Sequence, residues 1–247
     1  MLFNLWDSLW VPLLYVLITG HWTSISASLY LHRSITHKGV KFKEPVNFLM
    51  RLWLWLATGM STQEWVACHR KHHRFPDQPE DPHSPVQKGM WHVLFKGVFD
   101  YRKAVADKAM VEQYGKGCPD DALEREFFKP YRQAGIYVLL FINLLLFGWW
   151  WFIPVWVCQI LWMIFIGHVI NGLGHGVGYR NKEVDDHSTN VLPVGILVAG
   201  EELHNNHHSN PASPKFSRKW YELDMGWVYI KLLSWAGLAE VRYSTTK

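Results

Sequence analysis

Residues 134–179 form an unbroken run of 46 positions without Asp, Glu, Lys or Arg. A helix rises ~1.5 Å per residue, so ~20 apolar residues cross a bilayer once. The run is too long for one crossing. It reads as two spans, about 134–153 and 156–175, turning at "FGWWWFIPVW", where Gly148 and Pro154 bracket the turn and the tryptophans mark an interface.

Residues 8–31 are also free of these charges, and 9–31 reads as a further span, although His21 and three serines interrupt its apolar character. No basic stretch followed by a small-residue cleavage site precedes it, which argues against a signal peptide. The stretch 46–62 is apolar but short and carries Arg51, so it is expected to lie in the interface, as is 226–239 with Lys231 on its wet side. "VLPVGILVAG" at 191–200 is too short to cross. The mean hydropathy of −0.06 looks soluble only because that scale counts Trp, Tyr and His as polar, and the chain holds 15 Trp and 14 His. Of its 25 Lys and Arg, 17 lie between Arg33 and Arg132 and eight from Arg180 onward. By the positive-inside rule those segments are cytoplasmic, giving three crossings. The expectation is an all-α integral membrane protein, one domain over 1–247, with about three transmembrane helices, two interfacial helices and a cytoplasmic histidine-rich region. Cys68, Cys118 and Cys158 form no CxxC pair, which points to a reducing compartment and away from a disulfide framework. The net charge of +4 comes with no nucleic-acid motif.

Nine histidines fall into groups. "HRSITH" holds His32 and His37, "HRKHH" holds His69, His72 and His73, "HNNHH" holds His204, His207 and His208, and "NGLGH" holds Asn171 and His175. On a helix each triplet projects within roughly 100° of arc, so each can point at one centre. Every group stands at the cytoplasmic end of an apolar segment. If 46–62 crossed fully, the first two groups would face opposite sides, so a shared site predicts that it does not cross. The remaining five, His21, His83, His92, His168 and His187, read as ordinary surface or core histidines, with His83 in "DPHSP" the one most open to a special role.

Three protonated imidazoles in five positions would repel one another, whereas neutral imidazoles bound to metal would not. Nine nitrogen ligands are too many for one ion and suit two of four to five ligands each. Imidazole suits iron, zinc and copper. A set this rich, without thiolate, at a membrane face favours two irons and dioxygen chemistry, with zinc left open. Glu64, Asp77, Asp81, Glu201 and Glu202 are the nearby carboxylates that could hold the ring N–H groups. The competing reading of the clusters is polar surface or proton-relay histidines in a transporter.

These motifs resemble the membrane fatty acid desaturases, and within them the Δ9 acyl-CoA desaturase group of bacterial type. HxxxxH at 32–37, HRxHH at 69–73 and HxxHH at 204–208 come in that family's order. Glu64-Trp65, "DPHSP" at 81–85, "KGMWH" at 88–92, "NGLGHGVGY" at 171–179, "GEELHNNHH" at 200–208 and "DMGW" at 224–227 match as well, over roughly residues 25–240. The resemblance implies a di-iron centre that uses O2 and two electrons to remove two hydrogens from adjacent methylenes of a long acyl chain, giving a cis double bond. It implies His32, His37, His69, His72, His73, His175, His204, His207 and His208 as iron ligands, with Asn171 acting through a water. Electrons would come from a separate carrier and an NAD(P)H-dependent reductase, since no haem or iron–sulfur motif is present. The implied place is a bacterial inner membrane, with the active site on its cytoplasmic face.

Two features depart from the family. Relatives commonly have four crossings, where three are expected here. Animal acyl-CoA members carry Arg-Asp before the second box, where this chain has Ala67-Cys68, leaving CoA, acyl carrier protein and a lipid head group all open as acyl carriers. Arg70, Lys71 and Arg74 could meet phosphates. A sister hydroxylase, acetylenase, decarboxylase or acyl-lipid desaturase would carry the same boxes. A non-oxidative metal-binding membrane protein is the alternative from another class.

Overall fold

The computed structural model describes residues 8–242 and is mostly helical. Helix α1, Trp10–Ser26, runs without a break into wider π-helical turns over Ala27–Thr36. The first apolar stretch therefore stays helical beyond its expected end at 31. Three of its hydroxyls find partners, while the buried Ser26 hydroxyl has none among the described residues. Thr19 and Thr23 donate to the carbonyls of Tyr15 and Thr19, while Trp162 donates to Ser24 Oγ at 3.1 Å and Gln159 to Thr19 Oγ1 at 3.0 Å. The hydroxyls of Thr19, Thr23 and Ser24 are thereby satisfied away from water.

Helix α2, Glu44–Thr58, carries Pro45 in its first turn and is capped by Gly59, whose φ of 62° provides the left-handed cap. The expected helix 46–62 is therefore shorter, and its last residue already belongs to α3, Thr62–Arg74, which Ser61 caps. Arg51 turns inward. It is buried and ion-paired to Asp121 at 2.7 Å and Glu124 at 3.0 Å. After a loop come α4, Pro85–Lys88, α5, Met90–Ala106, and α6, Lys108–Tyr114. Helix α5 leaves Trp91, Phe95 and Phe99 exposed along one stripe, a feature the sequence reading passes over.

Ala134–Leu173, labelled α7, is broken at Gly148, where φ is 58° and ψ −156°. Trp156 Nε1 donates to Ile136 O at 2.7 Å and Asn143 Nδ2 to Gln159 Oε1 at 2.7 Å. Residues 20 positions apart on one straight helix would stand about 30 Å apart. The two limbs are therefore antiparallel, as expected, with the turn at Gly148 and Pro154 inside the second limb. Among the described residues, only 134–173 is long and apolar enough to cross a membrane by length and composition. Helices α1, α2 and α5 pack against it.

The rest is a layer of loops with a five-residue helix α8, His204–His208, and α9, Met225–Trp235, which Asp224 caps. Two small sheets tie it down. Strand β1, Val40–Phe42, pairs antiparallel with β4, Ala239–Val241, and β2, Val194–Gly195, pairs parallel with β3, Leu223–Asp224. The expected helix 226–239 thus stops early, and its last residue enters β4. Arg33 clamps this layer to the helices. It donates to both oxygens of Asp224 and to the carbonyls of Ala199 and Pro214, and it stacks 3.8 Å over Phe216. A buried pair of this kind is costly to break from one side, because the other charge is left without a partner.

Candidate metal centre

His32 and His37 are five residues apart, a spacing that an α-helix would place on different faces. The π-helical turns close this gap. His37 N donates to His32 O at 3.1 Å, and the two rings lie 4.8 Å apart. Helix α3 supplies His69, His72 and His73, the end of α7 leads to His175, and α8 supplies His204, His207 and His208.

The nine rings form two clusters. His32, His37, His69, His73 and His207 make one, and His72, His175, His204 and His208 the other, with ligand atoms in each within 4.8 Å of one another. The clusters adjoin, His73 and His208 being 4.6 Å apart. The triplets do not each serve one centre. On α3 the i, i+4 pair His69 and His73 turns to the first cluster and His72 to the second. On α8 the i, i+4 pair His204 and His208 turns to the second and His207 to the first. The two helices face each other, and each sends one ring across.

Four carboxylates hold the outer ring nitrogens. His32 Nδ1 bonds Glu201, His72 Nδ1 bonds Asp81 and His175 Nδ1 bonds Asp77, each at 2.8 Å, and His208 Nδ1 bonds Asp186 at 2.7 Å. An ionised carboxylate accepts only, so each Nδ1 carries the proton and each Nε2 a lone pair. Burial alone would raise Asp77 and Asp81, but their histidine partners outweigh it and hold both below the usual carboxylate range. Glu64, Asp77, Asp81, Glu201 and Glu202 were the expected partners, and three of them serve. Glu64 instead pairs with Arg132 at 2.7 Å, and Glu202 accepts from the backbone N–H groups of Val198 and Gly200. Asp186 was missed, since it stands far from every box in sequence and reaches His208 only through the loop fold.

The inner nitrogens test whether a metal fits. His72 Nε2 lies 3.3 Å from His208 Nε2, and His175 Nε2 lies 3.0 Å from His204 Nε2. In the first cluster, His32 to His207, His69 to His73 and His73 to His207 are each 3.0 Å. As neutral rings His72 and His208 both hold their protons on Nδ1, so their lone pairs confront each other with no hydrogen between. Two nitrogens at right angles on a metal with bonds of about 2.1 Å stand about 3.0 Å apart. A cation in each cluster removes this repulsion, and the donor set fits one.

Burial, reinforced by repulsion from neighbouring imidazoles, holds His37, His69, His73, His204, His207 and His208 well below the ordinary 6.5. They are neutral, as metal ligation requires. Burial also works to lower His72, but the charge and hydrogen bond of Asp81, with Asp77 and Asp186, raise it.

His83 departs from the ordinary reading. It is buried, stacks on His72 at 4.6 Å and carries an unpartnered Nε2. His21 bonds Tyr229, His92 pairs with Asp100, and His168 lines a cavity described next. The His187 backbone N–H donates to Asp77. Arg70 does not reach outward for phosphate. It is spent on the carbonyls of Ile35, Thr36, Tyr114 and Lys116.

A cavity of about 540 Å³ lies between α1, α3, α5 and α7 and reaches His32, His69 and His204. Ala27, Ile160, Met163, Ile164 and Ile170 give it apolar walls, and Asn171, one turn before His175, lines it too. Such a slot suits an alkyl chain, with metal sites along its side.

The fatty acid desaturase family model matches residues 8–236. The chain is 32% identical over 236 residues to an sn-1 stearoyl-lipid 9-desaturase of Anabaena variabilis, covering 95% of this chain and 83% of the relative. It is 31% identical over 240 residues to an sn-1 stearoyl-lipid 9-desaturase of Synechocystis sp., covering 95% and 71%. An acyl-CoA 5-desaturase of Anemone leveillei is 30% identical over 240 residues, covering 95% and 71%. With a motif set, a paired histidine site and a family match that all extend over nearly the whole chain, this protein belongs to the fatty acid desaturase family.

Proposed function

We propose that this protein is a membrane-embedded di-iron desaturase that introduces a cis double bond, at Δ9, into a long-chain acyl group. The observation that carries the reading is the pairing of five-histidine and four-histidine clusters beside an apolar cavity. His32, His37, His69, His73 and His207 would hold one iron. His72, His175, His204 and His208 would hold the other, with Asn171 the residue that would assist through a water. When bound, the irons supply the O2-dependent, two-electron oxidation that an unactivated C–H bond demands. The chain's own residues do the rest. Asp77, Asp81, Asp186 and Glu201 fix the tautomer and ring orientation of four ligands. The cavity walls align the acyl chain beside the clusters and keep water from it.

Helix α1 and the two limbs of α7 cross the bilayer, while α2, α9 and the exposed stripe of α5 lie at its surface. The cationic segments face the cytoplasm of a bacterial inner membrane. A separate electron carrier and an NAD(P)H-dependent reductase supply the two electrons. The two cyanobacterial relatives act, by name, on stearoyl-lipid, which favours a lipid-bound acyl chain over a thioester.

The test is expression in an iron-replete host that makes no desaturase products, with total fatty acids analysed by gas chromatography–mass spectrometry after derivatisation at double bonds. A new Δ9 monounsaturated acid is expected, absent in the His72→Ala variant and retained in His92→Ala. A hydroxylated, acetylenic or shortened product would instead assign a sister oxygenase. An alkene made equally well by His72→Ala would remove that residue from the ligand set.

A further inference from the structure

A second cleft opens on the loop side of the clusters. Glu183, Asp185 and Asp186 line it together with Val184, His73 and His208. In a chain with more Lys and Arg than Asp and Glu, neither type stands among the cleft's described lining residues. His73 belongs to the five-histidine cluster and His208 to the four-histidine cluster, so one opening borders both.

The two rings meet the cleft differently. The His208 side chain is 1% exposed and lies behind Asp186, which accepts from its Nδ1. His73 is the open ring. Its Nε2 faces those of His69 and His207, each 3.0 Å away. Its Nδ1 bonds none of the described residues and is open to solvent, whereas the Nδ1 atoms of His204 and His207 are buried. His73 also stands one residue from the end of α3, where a helix frays most readily.

The cavity beside the clusters offers a cation no comparable way in. Its two carboxylates are taken, Glu64 by Arg132 and Glu201 by His32, which leaves the exposed Arg102 unopposed in its lining. A divalent ion would shed water against apolar walls there with little in exchange. In the cleft, carboxylates of one sign concentrate a hydrated cation at the entrance.

We propose that this cleft is the route by which a divalent cation, Fe2+ in the reading above, enters and leaves the paired clusters, with His73 the ligand that yields to let it pass. The inference rests on the di-iron reading. Glu183 and Asp185 act before binding, by charge alone. Both are exposed, and neither bonds a ligand histidine.

The test measures metal exchange rather than product. The full chain in detergent is stripped by chelator, given Fe2+ without oxygen, and quenched with chelator at set times for metal analysis. Glu183→Gln combined with Asp185→Asn removes two charges from the cleft. This variant should take up Fe2+ about 10-fold more slowly at low salt and at the wild-type rate in high salt. Val184→Trp narrows the cleft. It should slow uptake and chelator-driven release alike, at least about 10-fold, and still reach wild-type metal content, because an obstacle outside a site raises the barrier in both directions. Gly167→Leu fills space in the other cavity and should exchange metal at the wild-type rate. A wild-type exchange rate in either cleft variant overturns the inference. So does slowed exchange in Gly167→Leu, which would route the ion through the acyl cavity. A wild-type chain that binds no Fe2+ overturns the di-iron reading and this inference with it. Cleft-dependent exchange in a chain that forms no oxidised product overturns the functional reading alone.

Discussion

His72 and His208 bring their Nε2 atoms to 3.3 Å while each donates its Nδ1–H to an aspartate, His72 to Asp81 and His208 to Asp186. In their neutral forms neither inner nitrogen carries a proton, and the two lone pairs are then free to meet a cation. The aspartates create the arrangement by choosing the tautomer, so the metal site is built from outside inward.

Asp186→Asn keeps the shape of the side chain but removes its charge, freeing His208 to adopt the other tautomer. Metal affinity at the four-histidine cluster should fall about 10–100-fold. Dialysis against graded chelator, followed by metal analysis, should show about one ion per chain lost early and one retained. Two ions held at wild-type affinity would separate Asp186 from the site. Asp81→Asn should do more damage, because Asp81 also accepts from the Asp77 and His83 backbone N–H groups.

Acid should destabilise the protein once chelator has removed its metal. Burial depresses six site histidines, His37, His69, His73, His204, His207 and His208, below 6.5. As pH falls below about 6.5, the unfolded chain takes up protons that the folded chain refuses, so stability drops toward the depressed folded values. His72 is raised and acts the other way, one group against six. Melting in detergent, followed from pH 8 to 5, should show a transition temperature that declines below 6.5. A flat profile would contradict the neutral, buried state of these rings.

Gly148→Ala should weaken the α7 hairpin. At φ 58° and ψ −156° the backbone lies where only glycine is at ease, and a Cβ costs about 1–3 kcal/mol. A lowered melting temperature with unchanged metal content is expected. Wild-type melting would mean that the turn relaxes to another geometry.

Gly167→Leu separates the cavity from the metal sites. A Cβ at Gly167 meets nothing within 4 Å, and the residue lines the cavity, so a leucine side chain projects into its space. A mid-helix glycine replaced by leucine gains up to about 1 kcal/mol in helix propensity, so the fold should hold. Turnover of an 18-carbon chain should fall at least about 10-fold, and shorter chains should fare relatively better. Competition between chain lengths, with metal content as control, measures this. Equal turnover of all lengths would place the alkyl chain elsewhere.

The sequence alone determined the apolar runs, the turn at Gly148 and Pro154, the nine clustered histidines and the family. These are local properties. Charge-free length governs burial in a bilayer, and imidazole spacing governs ligation, so both are visible within a few tens of residues. Only the tertiary structure decided how the histidines divide. His207 joins His32 across 175 positions and His204 joins His175 across 29, and no local period encodes which ring of a triplet crosses over. The same holds for Asp186 beneath His208 and for Arg51 buried against Asp121 and Glu124. The five-residue spacing of His32 and His37 became intelligible only through the π-helical turns. Partner choice over such separations follows from where whole helices meet, and that depends on the sum of their buried faces rather than on any motif.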